Sequence, residues 1–405
     1  MLSVEEARHR IVGSFAPLGV EQVGLADALG RVLAEDVASR VNQPPVAVSA
    51  MDGYAVRAAD VATLPATLKV VGYAAAGGGH HGTVGAGEAV RIFTGAPVPD
   101  GADAIVIQEN TKADGTLVTV QDGAAPAGRF IRPAGLDFKA GQVGLAAGRR
   151  LTARDIGLAA AMNRPWLKVR RRPRVAILAT GDEVVMPGEP LGPSQIASSN
   201  SLALGAFVTA CGGEAVQLGI APDDREVLGR MAAGAIGMDL LLTTGGASVG
   251  DHDLIQEVLG AQGFSLDFWK IAMRPGKPLI FGHIGPTPVL GLPGNPVSGI
   301  VCATLFLRPA LAAMLGETAL PEPHETAVLA ADLPHNDERQ DYLRATLSRD
   351  DHGRPLVRAF DRQDSSMLAT LAHADCLIVR APRAPAAKAG DTVEIVRLTG
   401  GCLSI

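Results

Sequence analysis

Apolar and polar positions follow a helical period at the N-terminus and change to short strand-like runs after about residue 41. Ser3 can cap a run in which Val4, Ala7 and Ile11 share one helical face, and residues 25–37 repeat that pattern. Strand-like runs between Gly, Pro and Asp clusters follow, and a helical pattern then returns. We therefore predict a discontinuous helical domain with a β domain inserted into it, over residues 1–41 with 149–172 and residues 42–148 respectively.

The second half of the chain alternates strand runs with helical runs, which is typical of an open α/β sheet. The pattern predicts a doubly wound parallel sheet over residues 173–320 and a C-terminal, barrel-like β domain over residues 321–405. The expected fold is therefore multidomain, with α/β and β parts. The predicted sheet strands are residues 175–179, 215–220, 239–243, 268–272 and 288–292, and the predicted helices are residues 199–211, 224–235, 253–259 and 297–307.

The charge balance excludes some classes of partner. The 405 residues carry 36 basic and 42 acidic side chains, a formal net charge of −6 at pH 7. This balance argues against a nucleic-acid-binding tail or a polybasic membrane patch. A basic cluster does occur over residues 164–174, but only Trp166 in it could stack on a base, so we interpret it as a solvated boundary segment. We expect no nucleic-acid partner.

Hydropathy and cysteine spacing point to a cytoplasmic protein without a membrane partner. The longest strongly apolar stretch, residues 300–307, is far shorter than the roughly twenty residues that span a bilayer. The first ten residues lack the apolar segment of a signal peptide. The four cysteines show neither CxxC nor Cys/His spacing, so the sequence predicts no disulfide framework and no structural zinc site.

Unusual polar segments follow the predicted strands, where open α/β sheets bind their ligands. Residues 180–183 place two adjacent carboxylates after a glycine, which alone is ordinary turn chemistry. Residues 243–253 form a loop rich in glycine and hydroxyl groups that opens a helix and can aim several backbone N–H groups at one anion. Asp251 and Asp253 exceed what one helix cap needs, and paired carboxylates beside a phosphate site suit Mg²⁺.

The remaining two segments add positive charge and hydrogen-bonding groups. Lys270, Arg274 and Lys277 surround one turn, which favours an oxyanion site. Asn295 and Ser298 lie in a turn with two prolines that leads into a helix. The sequence shows no Ser/His/Asp or Cys/His constellation and no GxGxxG motif, so we expect neither covalent catalysis nor dinucleotide binding. The expected ligand is phosphorylated or oxyanionic and is bound with a divalent cation.

Six motifs in order, spread over nearly the whole chain, resemble the molybdopterin molybdotransferase family. This family comprises the bacterial MoeA proteins and the equivalent E domains of plant and animal proteins such as gephyrin. The motifs are SAMDGYA (residues 49–55), TGAPVP (94–99), ATGDE (179–183), TGGASVGD (244–251), RPGKP (274–278) and LPGNPVS (292–298).

The resemblance implies a specific reaction. Such an enzyme takes adenylylated molybdopterin and molybdate as substrates, hydrolyses the adenylyl pyrophosphate with Mg²⁺ or another divalent cation, and yields molybdenum cofactor and AMP. It also implies a homodimer in which each cleft combines the α/β domain of one subunit with parts of its partner. Molybdopterin adenylyltransferase and molybdoenzyme-maturation proteins are expected as further partners.

The motifs and the resemblance together assign candidate site residues. The catalytic candidates are Asp52, Glu183, Asp253, Lys270 and Lys277, and the metal ligands are Asp223, Asp253 and Glu183. The substrate-binding candidates are Thr94, Asp137, Gly245, Gly246, Ser248, Arg274, Pro293, Asn295, Ser298, Arg344, Ser365 and Ser366, with either of the last two serines as the oxyanion ligand. Arg274 stands where some members carry Lys, and Asp137 lies in Gly-Leu-Asp where several members have Gly-Glu-Asp.

Two other functions remain open at the level of sequence. An adenylyltransferase of the same pathway shares the α/β domain and its glycine loop, but it lacks the Asp52 motif and the C-terminal β domain. A non-catalytic scaffold of the gephyrin type is the other, although this sequence has no fused adenylyltransferase domain and keeps its acidic and basic cleft positions.

Overall fold

The computed structural model describes residues 1–245, 258, 260, 263–318 and 324–398. The chain forms two compact units. The larger unit comprises residues 1–35, 147–153 and 168–405, and the smaller unit comprises residues 36–146 and 154–167.

Helices and strands are numbered in chain order among the described residues. The α-helices are α1 (Val4–Gly13), α2 (Ala153–Ala161), α3 (Asn200–Ala210), α4 (Arg225–Ala232), α5 (Pro296–Cys302), α6 (Arg308–Leu315) and α7 (Leu368–Ala372). The strands are β1 (Val20–Gly24), β2 (Val37–Ala38), β3 (Val48–Ser49), β4 (Gly53–Val56), β5 (Ala66–Ala74), β6 (Glu88–Ile92), β7 (Ala104–Ile107), β8 (Thr111–Asp114), β9 (Leu117–Val120), β10 (Ile131–Arg132), β11 (Val143–Leu145), β12 (Trp166–Arg170), β13 (Arg174–Thr180), β14 (Val184–Val185), β15 (Ile196–Ala197), β16 (Glu214–Ala221), β17 (Leu240–Thr244), β18 (Phe264–Trp269), β19 (Met273–Arg274), β20 (Ile280–Ile284), β21 (Thr287–Leu292), β22 (His324–Leu329), β23 (Gln340–Arg349), β24 (Pro355–Ala359), β25 (Cys376–Arg380) and β26 (Thr392–Arg397).

A six-stranded sheet in the order β16-β13-β17-β21-β20-β18 forms the centre of the larger unit. Successive side chains of a strand point to opposite faces, so Ile177 of β13 packs in the core cluster of α1, α3, α5 and α6. Its neighbour Leu178 packs with Leu228 of α4 in a second cluster. Helices therefore cover both faces of the sheet. This explains why the residues of β13 form a continuous apolar run. The doubly wound α/β class predicted from the sequence is confirmed.

Two strands of this sheet depart from the parallel arrangement that the sequence predicts. Strands β16, β13, β17 and β21 are parallel, whereas β20 runs antiparallel to β21 and β18 antiparallel to β20. Ile284 pairs with Thr287 across a tight turn at Gly285, and a connection this short can join only antiparallel strands. The strand predicted at residues 268–272 is also displaced, because β18 ends at Trp269.

The C-terminal region is a closed five-stranded barrel. Its strands follow the order β23-β24-β22-β26-β25, and β25 also pairs with β23 and closes the ring. Ala345, Val357, Ile378 and Ile395 are buried inside it. The barrel-like β domain predicted from the sequence is confirmed. Strand β19 pairs in parallel with β23 and is an additional strand of this sheet, with Met273 opposite Gln340 and Arg274 opposite Asp341.

The smaller unit contains a half-barrel sheet in the order β7-β4-β6-β5-β9-β8. Its strands bury both faces: Val56 of β4 belongs to one core cluster, and its neighbour Ala55 belongs to the other. The strand-like runs predicted for this region are therefore strands of one sheet.

The first predicted helix is present, but the second is not. Ser3 caps α1, with its Oγ accepting a hydrogen bond from the Glu6 amide at 3.1 Å. Residues 25–37 contain only a short 3₁₀ turn, Leu25–Asp27, and then an extended segment that ends in β2. Gly30 has a φ of +74° and Leu33 bridges Val169, so backbone pairing with distant residues replaces helical bonds there.

One helix among the described residues, Pro296–Leu315, is long and apolar enough by length and composition to cross a membrane. It runs from α5 through a π-helical turn at Ala303–Leu307 into α6. Most of it is buried within the fold, where Val301 and Phe306 belong to the main core cluster. Its apolar character is therefore explained by packing against the sheet.

Candidate active site

A cavity of about 710 Å³ lies where the parallel strands of the larger unit end. Strands β13, β17 and β21 end at Thr180, Thr244 and Leu292, and the segments that follow them line this cavity. It brings together five of the predicted residues, namely Glu183, Gly245, Pro293, Asn295 and Ser366. The position of the cavity thus supports the prediction made from the strand ends.

Gly245, which lines the cavity, approaches the neighbouring backbone so closely that only glycine fits there. Gly245 has a φ of +95°, and a Cβ there would lie 2.4 Å from the carbonyl oxygen of Thr180. A Cβ on Gly294 would in turn lie 3.3 Å from the Cα of Gly245. The first of these positions requires glycine for both its backbone conformation and its space.

A buried hydroxyl group of a cavity-lining residue has no hydrogen-bond partner among the described residues. Thr180 is 4% exposed, and its Oγ1 neither donates nor accepts a hydrogen bond in that part of the chain. Because Thr180 lines the cavity, this buried hydroxyl lies next to the space that a ligand would occupy. The sequence analysis included Thr180 in the segment of residues 180–183 but assigned no role to its hydroxyl, since a threonine at a strand end is not informative by itself.

Asn200, at the start of α3, connects two of the loops around the cavity. Its Nδ2 donates to Thr244 Oγ1 at 3.0 Å and to the Gly294 carbonyl oxygen at 2.7 Å. It therefore holds the end of β17 against the turn that follows β21. No sequence motif marks this residue, because its partners lie 44 and 94 residues away.

The C-terminal region also reaches the cavity. Asn295 Nδ2 donates to Ser365 Oγ at 3.0 Å, and the Val297 amide donates to the Ser365 carbonyl oxygen at 3.2 Å. Ser366 lines the cavity and donates its hydroxyl to Asp364 at 2.6 Å. Ser298 is buried within α5 and does not line the cavity.

Three acidic side chains gather beside the cavity. Desolvation is the main cause that raises the pKa of Asp223, and the charges of Asp182 and Glu183 raise it further. The Asp223 amide donates to Asp182 Oδ1 at 3.0 Å, which fixes the two segments together. Within the described ranges, no group of three or more His, Cys, Asp or Glu side chains is arranged to hold a metal ion. The predicted metal ligands Glu183 and Asp223 therefore interact electrostatically, but the described residues do not form a complete metal site.

The basic segment forms a closed turn. The Ile271 amide donates to the Lys277 carbonyl oxygen at 2.9 Å, so Lys270 and Lys277 lie at the two ends of this turn. The ammonium of Lys270 lies 3.7 Å from the ring centroid of Trp269. Neither lysine is paired with a carboxylate of the described residues.

Arg274, at the tip of the same turn, is fully engaged with acidic groups. It forms ion pairs with Asp337 at 3.0 Å and with the buried carboxylate of Asp341. The Asp341 carboxylate raises the pKa of Arg274, while burial raises the pKa of Asp341. The expected oxyanion role of Arg274 stays a prediction, and these contacts favour a structural role that joins β19 to the barrel.

The smaller unit holds the other predicted carboxylates. Thr94 donates to Asp52 from its amide and its hydroxyl, and these bonds hold the pKa of Asp52 below its usual range. Asp137 lines a cavity of about 590 Å³ in this unit together with Gly95 and Arg132.

Comparisons with known proteins cover nearly the whole chain. Family models match residues 2–163 as the MoeA N-terminal region (domains I and II), residues 176–313 as a "Probable molybdopterin binding domain", and residues 326–398 as the MoeA C-terminal region (domain IV). The molybdopterin molybdenumtransferase of Haemophilus influenzae is 34% identical over 98% of both chains. That of Nostoc is 38% identical over 89% of this chain and 84% of its own.

A solved structure agrees with these matches. The crystal structure of a molybdopterin biosynthesis MoeA protein from Pyrococcus horikoshii superimposes with a TM-score of 0.85 and 31% identity, and covers 99% of this chain and 100% of its own. The chain belongs to the molybdopterin molybdenumtransferase family. The family resemblance inferred from the six motifs is confirmed.

Another residue assigned from the molybdenumtransferase motifs, Arg344, is buried and lies on β23, next to Ala345 of the barrel interior. It is 1% exposed, its Nε donates to Gln363 Oε1 at 3.3 Å, and its Nη1 donates to the Met367 carbonyl oxygen at 3.2 Å. Burial lowers the pKa of Arg344. These contacts support the segment that carries Ser366 to the cavity, and a direct contact with molybdate stays a prediction.

Three of the assigned residues, Gly246, Ser248 and Asp253, lie outside the described residues. The predicted helix at residues 253–259 lies almost wholly outside them as well. Their assignments as anion and metal ligands of a molybdenumtransferase stay predictions.

Proposed function

We propose that the cavity of the larger unit binds adenylylated molybdopterin and that the closed basic turn binds molybdate. As a member of its family the chain is a molybdopterin molybdenumtransferase, and this proposal concerns which residues carry that activity. The observation that carries it is the cavity at the ends of β13, β17 and β21, whose lining includes Thr180, Asn295 and Ser366.

The described residues that fit a divalent cation are Glu183 and Asp223. Burial and the charges of Asp182 and Glu183 raise the pKa of Asp223, so a cation bound between Glu183 and Asp223 would stabilise the ionised carboxylates. Mg²⁺ takes few protein carboxylates and completes its shell with water and substrate phosphate oxygens, so two residues with Asp253 suffice. When bound, such an ion supplies charge neutralisation for the pyrophosphate.

The side chains of this chain then act by positioning and electrostatics. Lys277 and Lys270, which pair with no carboxylate of the described residues, offer positive charge to the oxyanion, and the glycine at 245 lets the backbone approach the phosphate. Asn295 and Ser366 also line the cavity, and Ser366 would have to release its hydrogen bond to Asp364 in order to donate its hydroxyl to the substrate. Asp52 remains ionised at neutral pH, and because its lowered pKa makes it a weak base, it suits the role of a water-orienting group.

We further propose a cytoplasmic homodimer whose cleft takes Asp52 from one subunit and Lys277 from the other. Exposed apolar side chains within residues 186–202 support an interface, namely Met186, Leu191, Ile196 and Leu202. Mixing an Asp52→Asn protein with a Lys277→Ala protein tests the shared cleft. Half of the dimers formed by random exchange are mixed and hold one intact site, so about one quarter of the activity should return. No recovery in verified mixed dimers would contradict the shared cleft.

The reaction itself is tested with purified protein, adenylylated molybdopterin, molybdate and Mg²⁺. We expect molybdate-dependent release of AMP and of active molybdenum cofactor, measured by reconstitution of a cofactor-free molybdoenzyme. Asp253→Asn should abolish AMP release in a folded protein. Consumption of ATP with molybdopterin would instead indicate the adenylyltransferase, and a protein inert in both assays would indicate a scaffold.

A further inference from the structure

Trp269 and Lys270 form an unusual pair at the end of β18. The Lys270 ammonium lies 3.7 Å from the centroid of the Trp269 ring, well inside the range of a cation–π contact. Lys270 also has a φ of +81°, a backbone conformation that non-glycine residues rarely adopt. Two independent features, one of the side chain and one of the backbone, therefore define where this ammonium lies.

The surrounding hydrogen bonds hold both partners. Trp269 pairs with Ile280 in the sheet, and its Nε1 is buried without an acceptor among the described residues. The Lys270 amide donates to the Leu279 carbonyl oxygen at 3.4 Å, immediately before the Ile271–Lys277 bond closes the turn. The indole is therefore anchored by the sheet, and the turn directs the lysine stem onto it.

The charge of Lys270 remains available to an anion. In the described part of the chain it forms no ion pair with a carboxylate, in contrast to Arg274, which is bound by Asp337 and Asp341. A ring face attracts an ammonium without cancelling its charge, and the N–H groups that point away from the ring stay free to donate. Fixing a flexible lysine in advance lowers the entropy lost when a ligand binds.

We propose that Trp269 is a positioning residue that holds the Lys270 ammonium on its indole face so that it can bind a tetrahedral oxyanion at the basic turn. This rests on the proposed function, in which that oxyanion is molybdate. Trp269 itself touches neither substrate, and its effect passes through Lys270.

The first test compares Trp269→Leu with Trp269→Phe. Leucine removes the ring face, and phenylalanine keeps a weaker one. We expect the leucine variant to raise the KM for molybdate about 2- to 30-fold, the range that a cation–π contact allows, with kcat within about twofold of the parent. The phenylalanine variant should lie between them. Equal molybdate KM values in the leucine variant and the parent would overturn the proposal, as would a loss of kcat alone.

The second test reads the contact directly and does not depend on turnover or on a stable Trp269 variant. The chain has two tryptophans, and Trp166 is 60% exposed, so a Trp166→Phe protein reports on Trp269 alone. In that background the indole emission should change saturably with sodium molybdate. Lys270→Met should shift the emission of the free protein and remove the molybdate response, whereas Lys270→Arg should restore part of it.

The outcomes separate this inference from the proposed function. If AMP release depends on molybdate but the Lys270→Met emission matches that of the Trp166→Phe parent, the positioning role is wrong and the function stands. If the emission responds through Lys270 while no molybdate-dependent AMP release occurs, the positioning role stands and the function is wrong.

Discussion

Thr94 donates two hydrogen bonds to one carboxylate oxygen of Asp52, from its amide at 2.8 Å and from its hydroxyl at 2.7 Å. The amide is the larger cause of the lowered pKa of Asp52, the hydroxyl is the next, and the charge of Arg91 adds to both. Asp52 therefore stays ionised in mildly acidic solution, and the lowered pKa makes its carboxylate a weaker proton acceptor.

Thr94→Val removes the hydroxyl but keeps the amide, so we expect it to raise the pKa of Asp52 only part of the way to its usual value. A carboxyl group with a lowered pKa in the folded state stabilises the fold above its unfolded pKa, and this contribution is lost as pH falls through the folded pKa. The variant should therefore lose stability at neutral pH and not in strong acid. Carboxyl NMR titration measures the pKa, Thr94→Ser is the control, and an unchanged Asp52 titration would contradict the hydrogen-bond assignment.

Asp223→Asn should separate stability from function. The pKa of Asp223 is raised, so the folded protein loses stability as pH rises through that pKa, and removal of the charge should raise Tm slightly at neutral pH. AMP release should fall roughly a hundredfold, the scale of removing one preorganised electrostatic group. Asp114→Asn in β8 controls for the loss of one negative charge. A lower Tm at neutral pH would show that the three carboxylates do not repel one another.

Gly245→Ala should destabilise the protein by about 2–5 kcal/mol, because the left-handed backbone and the 2.4 Å approach to the Thr180 carbonyl oxygen both oppose a Cβ. Gly157→Ala is the matched control. Gly157 lies inside α2 with open space around it, so alanine should stabilise that helix by about 1 kcal/mol. Urea unfolding measures both. A Gly245→Ala protein as stable as the parent would mean that the two loops are not in close contact.

Arg274→Met should destabilise the protein by about 1–3 kcal/mol, since it removes the charged hydrogen bond to the Asp341 carboxylate, which is 2% exposed, although Arg274 itself is half exposed. The double variant Arg274→Met/Asp341→Leu should recover most of this loss, because it removes both charges. Arg274→Lys should be intermediate, since one ammonium cannot reproduce the fork that binds two carboxylates. If Arg274→Met unfolds at the same urea concentration as the parent while molybdate KM rises, Arg274 is an oxyanion ligand and not a structural link.

Local patterns predicted most elements that depend on neighbouring residues. The Ser3 cap of α1 and the apolar run of β13 each follow from a few consecutive side chains, and both are present. The helix predicted at residues 25–37 failed because its apolar spacing also fits an extended segment that pairs with residues far along the chain. Periodicity measures which face is buried and does not measure which partner supplies the hydrogen bonds.

In the candidate site, too, the sequence predicted the features that follow from local motifs and missed those that depend on distant contacts. The order of strands and glycine-rich loops placed Glu183, Gly245 and Asn295 at one end of a sheet, and the cavity is there. Asn200 and Trp269 were missed, because each takes its role from a contact whose geometry no motif encodes. Thr180 lies within the ATGDE motif, but only the structure shows that its hydroxyl is buried without a partner among the described residues.

The sequence by itself determined the family, the class of fold and the charged groups available to the site, since motifs, periodicity and composition are properties of the chain. Only the tertiary structure decided which of those charges are neutralised. Arg274 and Lys270 look equivalent in sequence, yet one is held by two carboxylates of the C-terminal region and the other rests on an aromatic ring. The physical reason is that electrostatic interaction depends on distance in space, and residues brought together by folding lie far apart along the chain.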